Sequence, residues 1–352
     1  MRFATLPLFT AVLAPFAVSA IPMRRGTDNS TALVLRELPR LRLPVPIPGI
    51  DDPSEFAFVL EQLEAGFYSQ ALSKFQASDF ISAGFSSANI AIEELTVIST
   101  DESSHVSAIE EILIAFGETP LTSCQFDFSS VLTDVSTMAT VARVVENVGV
   151  GAYLGAAHLI QDPRVLTAAA SIVTIEARHQ TILNIFQGGS AIPQSFDIPL
   201  LPQEVLAIAG SFISGCDLGV TPNPALSVTN TGSITVGTLL EFSSSAINGS
   251  TDNFHCQMLA GGMPFSISLP IGQCIVPAGI NGPVAVWVTS DDQPLNGGAV
   301  DRISNAIVAG PLMAFIDTQP ETLSSLVRAD SNSTAITTTV SLAQAELDRP
   351  CH

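Results

Sequence analysis

Two stretches of similar sequence decide the fold: ISTDESSHVSAI at residues 98–109 and IVTIEARHQTIL at residues 172–183. Each contains a glutamate followed three residues later by a histidine, flanked by apolar residues at helical spacing: Glu102 with His105, and Glu176 with His179. Residues three apart lie on one face of a helix. Because carboxylates are rarely buried without a partner or a metal ion, both stretches predict helices that carry metal ligands into a core.

Apolar stripes predict four long helices, the first beginning at Asp52-Pro53 and the others at about residues 87–116, 136–160 and 163–186. The first carries Glu64 inward and the third carries Glu146 inward. A loop-like connection at residues 118–135 separates the two helix pairs. This order predicts a four-helix bundle with one long crossover, which with a shorter helix at 203–214 occupies residues 51–216.

The inward side chains form a set suited to metal binding. Four carboxylates and two imidazoles can hold two divalent cations, and four carboxylates neutralise two M²⁺ ions. Mixed carboxylate and histidine ligation suits iron or manganese. The alternative is a hydrogen-bonded polar core made of the same six residues.

In Glu64, Glu102-x-x-His105, Glu146 and Glu176-x-x-His179 the chain resembles the ferritin-like superfamily over roughly residues 51–215. More narrowly, it resembles secreted fungal ferritin-like proteins related to yeast stress-response and plant desiccation-related proteins. The resemblance implies a dinuclear centre of two Fe or two Mn ions with those six residues as ligands. It also implies oxidase or catalase-like chemistry with O₂ or peroxide as the small-molecule substrate, in a protein linked to stress.

Only two tyrosines occur in the chain, and each follows a predicted ligand at helical spacing. Tyr68 comes four residues after Glu64, and Tyr153 comes seven after Glu146. Either they are catalytic, as redox-active phenols or hydrogen-bond donors beside the metals, or they pack as ordinary bundle residues. Glu61 falls off the apolar stripe and is expected on a solvated face.

After Cys216 the composition changes to short runs rich in β-branched and aromatic residues. Strands are predicted at 233–242, 254–259, 265–269 and 284–289, so the fold class is α+β: a bundle followed by an all-β, sandwich-like domain at 217–317. Residues 318–352 are Ser/Thr-rich and are expected to form a mobile tail. A non-enzymatic alternative has the bundle as a structural core and the β-domain binding a cell-wall component. The only basis for such binding is Trp287, which could stack on a sugar, but packing of this residue in the core of the sheet is the favoured interpretation.

The first twenty residues predict a secretory signal peptide, because Arg2 precedes an apolar stretch and Val18-Ser19-Ala20 offers a cleavage site. Residues 21–50 are an aperiodic leader arm. Three Asn-x-Ser/Thr sites, at Asn29, Asn248 and Asn332, agree with export as a glycoprotein, either extracellular or associated with the cell wall. No later segment is expected to span a membrane.

Composition narrows the possible partners further. The chain has 13 Lys and Arg against 33 Asp and Glu, a formal net charge of -20, which excludes a basic nucleic-acid binder. Five cysteines in an exported chain suggest two disulfides, with Cys256–Cys274 and Cys124–Cys216 as the natural pairs and Cys351 left over.

Overall fold

The computed structural model describes residues 53–302 and 305–329, which lie in one compact unit. The predicted signal peptide, the leader arm, Asn29, Asn332 and Cys351 lie outside the described residues. Among the described helices, none is long and apolar enough to cross a membrane.

Four long helices form the N-terminal half: α1 (Pro53–Lys74), α3 (Ala88–Phe116), α4 (Val135–Ala156) and α5 (Pro163–Phe186). A short helix, α2 (Ala77–Ser82), lies between the first two and was not predicted. Helix α1 packs mainly against α3, and α4 packs mainly against α5, and residues 117–134 connect the two pairs. The predicted helical region with its long central link is therefore confirmed.

Local chemistry explains where these helices begin and end. The side chain of Ser87 caps the N-terminus of α3, and Gly117 ends that helix in the left-handed conformation at φ 86°. Asp162 caps α5, whose first residue is Pro163. Helix α4 ends at Ala156 and continues as a 3₁₀ turn at Ala157–Leu159, slightly earlier than the sequence predicts.

The crossover is fixed covalently to the end of the helical region. Cys124 and Cys216 form a disulfide, and beside it β1 (Gln125–Phe126) pairs with β2 (Ile213–Ser214). Helix α6 (Pro202–Ala209), followed by a 3₁₀ turn, leads into this pair in place of the longer helix predicted there. A second disulfide joins Cys256 to Cys274, so both predicted pairs are confirmed.

The C-terminal region is built on a four-stranded antiparallel sheet in the order β6-β5-β7-β8. Its strands and a separate two-stranded pair are β5 (His255–Ala260), β6 (Ile267–Pro270), β7 (Gly282–Thr289), β8 (Ile307–Ile316), and β3 (Ser227–Val228) with β4 (Phe242–Ser243). The predicted α+β class, a helical region followed by a β-sheet region, is confirmed.

Two parts of the strand prediction are wrong. Residues 233–242 are mostly irregular, with a turn at residues 236–237, where Gly237 adopts φ 87° and Thr235 and Thr238 hydrogen-bond to each other. Strand β8 was missed because it contains Gly310-Pro311, a dipeptide that normally interrupts strands. The structure accommodates this dipeptide beside a register shift between β7 and β8.

The sheet packs directly on the bundle. Along β7 and β8, Ala285, Trp287, Met313 and Phe315 belong to the same hydrophobic core as the bundle residues, while the alternate residues form a second core on the far side of the sheet. Trp287 is fully buried, as expected from strand-core packing. The bundle and the sheet therefore share one interior.

Residues after β8 also hold the two parts together. Asp317 forms a bidentate pair with Arg143 of α4, at 2.7 and 2.8 Å. Helix α7 (Thr322–Val327) follows, and Ser324 donates a hydrogen bond to the carbonyl of Gly189. The expected tail is therefore wrong for residues 318–329, which are docked on the helical region.

Candidate metal centre

All six predicted ligands lie buried in the middle of the bundle. Their exposed fractions run from 0 to 8 %: Glu64, Glu102, His105, Glu146, Glu176 and His179. Each of the four long helices contributes at least one carboxylate, and α3 and α5 also contribute a histidine each. A bundle interior with this many ionisable groups needs internal charge compensation.

The ligand atoms form two groups that share two carboxylates. One group contains Glu61, Glu102, His105 and Glu176, and the other contains Glu102, Glu146, Glu176 and His179. Within each group the ligand atoms lie within 4.8 Å of one another. Two adjacent cations would fit this arrangement. Each would be held by one histidine, by the two shared carboxylates and by one carboxylate that belongs to its group alone, Glu61 or Glu146.

The carboxylate that α1 brings to the first group is Glu61, which we had expected on a solvated face. This expectation was wrong: Glu61 is 1 % exposed, and its Oε2 lies 3.2 Å from His105 Nδ1. Glu64 is buried beside the cluster, near Gly149 and Glu176, but belongs to neither ligand group. Both side chains point inward because they lie three residues apart on one helix.

Both tyrosines hydrogen-bond to carboxylates of the cluster. Tyr68 donates to Glu146 Oε1 at 2.6 Å, and Tyr153 donates to Glu61. Burial, followed by the charge of the same carboxylates, raises the pKa of both phenols well above the usual value. The two tyrosines are therefore neutral donors, and each fixes one oxygen of a carboxylate that belongs to a single group: Tyr68 fixes Glu146 and Tyr153 fixes Glu61.

The imidazoles are the only cationic groups that face the carboxylates among the described residues. His105 Nδ1 lies 3.2 to 3.3 Å from oxygens of Glu61, Glu102 and Glu176. Burial alone lowers the pKa of both histidines, but hydrogen bonding to the carboxylates outweighs it and raises the pKa of His105 to about 12 and that of His179 to about 11. In the metal-free protein both are therefore charged and balance part of the negative charge of the carboxylates.

The carboxylates respond to burial and to these imidazolium ions in different ways. Burial raises the pKa of Glu102, but the hydrogen bond from His105 and the nearby charge of His179 outweigh it and lower the pKa to about 2. Burial and the neighbouring carboxylates raise the pKa of Glu64 and Glu176 well above the usual value. Protons therefore balance part of the negative charge of the metal-free cluster.

Unsatisfied oxygens show that the residues fit a metal. Glu102 Oε1 and both oxygens of Glu176 are buried and accept no hydrogen bond from the described residues. Glu102 Oε1 lies 2.9 Å from His179 Nδ1 and Glu176 Oε1 lies 3.2 Å from His105 Nδ1, but neither contact has the geometry of a hydrogen bond. Buried carboxylate oxygens without a donor are costly, and these belong to the two shared carboxylates, where cations would satisfy them.

One further residue of the site was missed. Asp101 Oδ2 lies 3.2 Å from Nε2 of His179, on the side of the ring opposite the cluster. A carboxylate on the second nitrogen orients a ligating histidine. Its signal was present in the sequence, as an acidic residue immediately before Glu102, but the residue lies off the apolar stripe and its side chain is 40 % exposed.

Comparison with known proteins agrees with this geometry. Residues 52–188 match a family model described as a ferritin-like domain. No curated protein matches the chain. The matched stretch contains the four long helices and every residue of both ligand groups. Residues 52–188 are thus similar to a ferritin-like domain; their helices enclose a carboxylate and histidine cluster that could bind a metal, and a β-sheet region follows them.

Proposed function

We propose that the chain is an exported protein with a dinuclear iron or manganese centre that reacts with O₂ or peroxide in stress-related oxidative or metal chemistry. The observation that carries the proposal is the sharing of Glu102 and Glu176 between two ligand groups. Shared carboxylates are typical of a bridged pair of ions rather than of two independent sites. A kinship with the secreted fungal proteins related to stress and desiccation is part of the proposal.

Geometry supports Glu61 rather than Glu64 as the ligand from α1, because Glu61 belongs to a ligand group and Glu64 belongs to neither. Four ionised carboxylates, those of Glu61, Glu102, Glu146 and Glu176, balance two M²⁺ ions when both histidines are neutral. Glu64 remains protonated in this scheme, which agrees with its raised pKa in a fully buried position. It then supplies a proton or a hydrogen bond beside the ions.

When bound, the metal pair supplies two-electron redox chemistry with O₂ or peroxide. The protein's own residues hold the ligands in position and keep water away from the site. Tyr68 and Tyr153 hold Glu146 and Glu61 by one oxygen each and leave the other oxygen directed at the cluster. Asp101 holds the ring of His179 and connects it to solvent. The two tyrosines, as the nearest phenols, are the candidates for one-electron donors.

Two observations support export. The disulfides Cys124–Cys216 and Cys256–Cys274 are of a kind that persists in oxidising compartments. The side chain of Asn248, in one of the three Asn-x-Ser/Thr sites, is exposed and open to glycosylation. The alternative wall-binding function of the β-region loses its main argument, since Trp287 is buried against Arg302 and Glu204 and has no face for a sugar.

The test is the metal content of protein produced without chelator, followed by anaerobic loading with Fe²⁺ or Mn²⁺. We expect about two ions per chain. Glu102→Gln should lose both, since it serves both groups, whereas His105→Ala and His179→Ala should each retain one. Glu111→Gln, on the exposed side of the same helix α3, is the control and should retain both.

The outcomes distinguish a bridged pair of ions from a polar core without metal and from two independent metal sites. No bound metal after loading with either ion would reduce the cluster to a polar core and exclude the redox function. Retention of two ions in Glu102→Gln would exclude the bridged pair. Peroxide turnover and Fe²⁺ oxidation, measured on the loaded protein and on Tyr68→Phe and Tyr153→Phe, then distinguish catalase-like from oxidase chemistry.

A further inference from the structure

A small cavity lies inside the bundle, beside the carboxylate cluster. Its volume is about 50 Å³, and residues of all four long helices line it. Glu61 and Glu64 belong to this lining, so the cavity borders the carboxylates that α1 brings to the centre. Every lining residue is buried or half-buried, and the cavity is therefore part of the bundle interior.

Hydrocarbon surrounds most of this space. Of the eighteen lining residues, fourteen carry no polar side-chain atom, and the other four are Ser54, Glu61, Glu64 and Tyr153. Tyr153 donates a hydrogen bond to one oxygen of Glu61, and the other oxygen of Glu61 faces His105. The space stays open because six lining residues are alanine or glycine: Ala57, Gly149, Ala152, Ala156, Ala168 and Ala169.

The volume limits the occupant to a very small molecule. A water molecule takes up about 30 Å³ in the liquid, and an apolar protein cavity that accepts benzene measures about 150 Å³. A cavity of about 50 Å³ therefore admits a molecule of about two heavy atoms and excludes rings and longer chains.

The lining selects against polar molecules of that size. Water and peroxide carry O–H groups, and each such group that is buried without a partner weakens binding about tenfold. A molecule without hydrogen-bonding groups loses nothing when it leaves water and gains contact with the hydrocarbon walls. Apolar cavities in proteins accordingly stay dry and take up apolar guests such as xenon.

We propose that this cavity is a binding site for a small apolar gas molecule, and that the molecule it holds in the working protein is O₂. The site raises the local concentration of O₂ beside Glu61 and Glu64 and leaves peroxide in the solvent. The use of this O₂ as an oxidant rests on the proposed metal centre, but its binding does not.

The test uses the metal-free protein, because O₂ is paramagnetic and marks its own position in a nuclear magnetic resonance experiment. Methyl protons close to bound O₂ relax faster, and Ile109 and Ile172 of the cavity wall carry such methyl groups. Ile316, which is also buried but lies in the core on the far side of the sheet, is the reference. At the same O₂ pressure, the relaxation enhancement at the two cavity isoleucines should be several times that at Ile316. An equal enhancement at all three would overturn the proposal.

Two neighbouring alanines of α5 provide matched variants. Ala169 lines the cavity, and Ala170 is exposed. Ala169→Leu should reduce the enhancement at the two cavity isoleucines to the level of the reference, whereas Ala170→Leu should leave it unchanged. Thermal unfolding confirms that each variant is folded, and Ala152→Leu on α4 replaces Ala169→Leu if that variant does not fold. An unchanged enhancement in the cavity-filling variant would overturn the proposal.

Competition distinguishes an apolar guest from a polar one. Xenon has no hydrogen-bonding groups and should displace O₂, which would lower the enhancement at the two cavity isoleucines. Hydrogen peroxide at the same concentration should leave the enhancement unchanged. Displacement of O₂ by peroxide, or no displacement by xenon, would overturn the assignment of an apolar gas site.

Because the protein is metal-free in these experiments, their result is independent of the proposed centre. O₂ binding by a protein that takes up no metal would support the gas site and remove the redox function. Metal uptake by a protein whose cavity isoleucines show no extra enhancement would support the centre and overturn the gas site.

Discussion

The most direct perturbation of the centre is a single methyl group at Gly149, in the middle of α4. A Cβ placed there would lie 2.8 Å from Glu64 Oε1 and 2.9 Å from Glu176 Oε2. Both distances are shorter than real Cβ contacts, so the carboxylates must move. Glu176 belongs to both ligand groups. We therefore predict that Gly149→Ala damages the metal site selectively.

The expected magnitudes separate an effect on metal binding from an effect on folding. Replacing a mid-helix glycine by alanine stabilises a helix by about 1 kcal/mol, while overpacking a buried site costs about 1–3 kcal/mol. The free energy of unfolding of the metal-free protein should thus change by no more than about 2 kcal/mol. Metal affinity should fall about 10–100-fold, the range seen when groups that support ligands are disturbed.

Gly66 supplies the matched control. It lies within α1, and a Cβ there would meet only Phe128 Cε2, at 3.6 Å, an ordinary contact. Gly66→Ala should therefore keep full metal binding and gain about 1 kcal/mol of stability. Competition with a chelator measures the affinities, and urea unfolding of the metal-free proteins measures the stabilities. If Gly149→Ala binds metal as tightly as Gly66→Ala, the two carboxylates are not the constrained ligands described above.

Three further predictions concern groups around the centre. Asp317→Asn leaves the buried guanidinium of Arg143 without its charged partner and should cost about 3–5 kcal/mol in urea unfolding; a loss below 1 kcal/mol would contradict a buried pair. Tyr68→Phe removes the donor to Glu146 and should cost about 1–3 kcal/mol in the metal-free protein, with metal uptake weakened rather than abolished. Burial raises the pKa of Glu61 from 4.5 to about 7, so the folded state holds a proton that the unfolded state releases, and the metal-free protein should lose up to about 3 kcal/mol of stability between pH 4.5 and 7. Glu61→Gln should make that slope shallower, with the remainder due to Glu64 and Glu176, whose pKa values are also raised, and a stability that rises across this window would refute the assignment.

The helices could be predicted closely because their ends are determined by local chemistry. Ser87 and Gly117 cap α3, and Asp162 with Pro163 begins α5, so the capping residues and the apolar stripes agree. The sheet was harder to predict. Strand β8 tolerates Gly310-Pro311 because it is an edge strand and the dipeptide lies at a register shift with β7, and such a tertiary effect leaves no local signal.

Docking of the chain after β8 was also beyond local prediction. Residues 318–329 are polar and aperiodic, which favours a mobile tail. Contacts to distant residues hold them in place: Arg143 binds Asp317 just before them, and Gly189 accepts from Ser324. These two pairs are 174 and 135 positions apart in the sequence. Pairings of this kind follow from the fold and do not show in the composition of the segment itself.

The choice between Glu61 and Glu64 marks the limit of sequence reasoning at the site itself. At 100° per residue, two positions three apart lie roughly 60° from each other, so both carboxylates of α1 face the interior and either can complete a ligand set. Their neighbours on other helices make the difference: His105 from α3 and Tyr153 from α4 both contact Glu61, whereas Gly149 is what leaves room for Glu64. A carboxylate held by a phenol and facing an imidazole is positioned for a cation, and one that merely fills the space above a glycine is not. Glu61→Gln should therefore remove the ion on the His105 side, while Glu64→Gln should leave both ions bound.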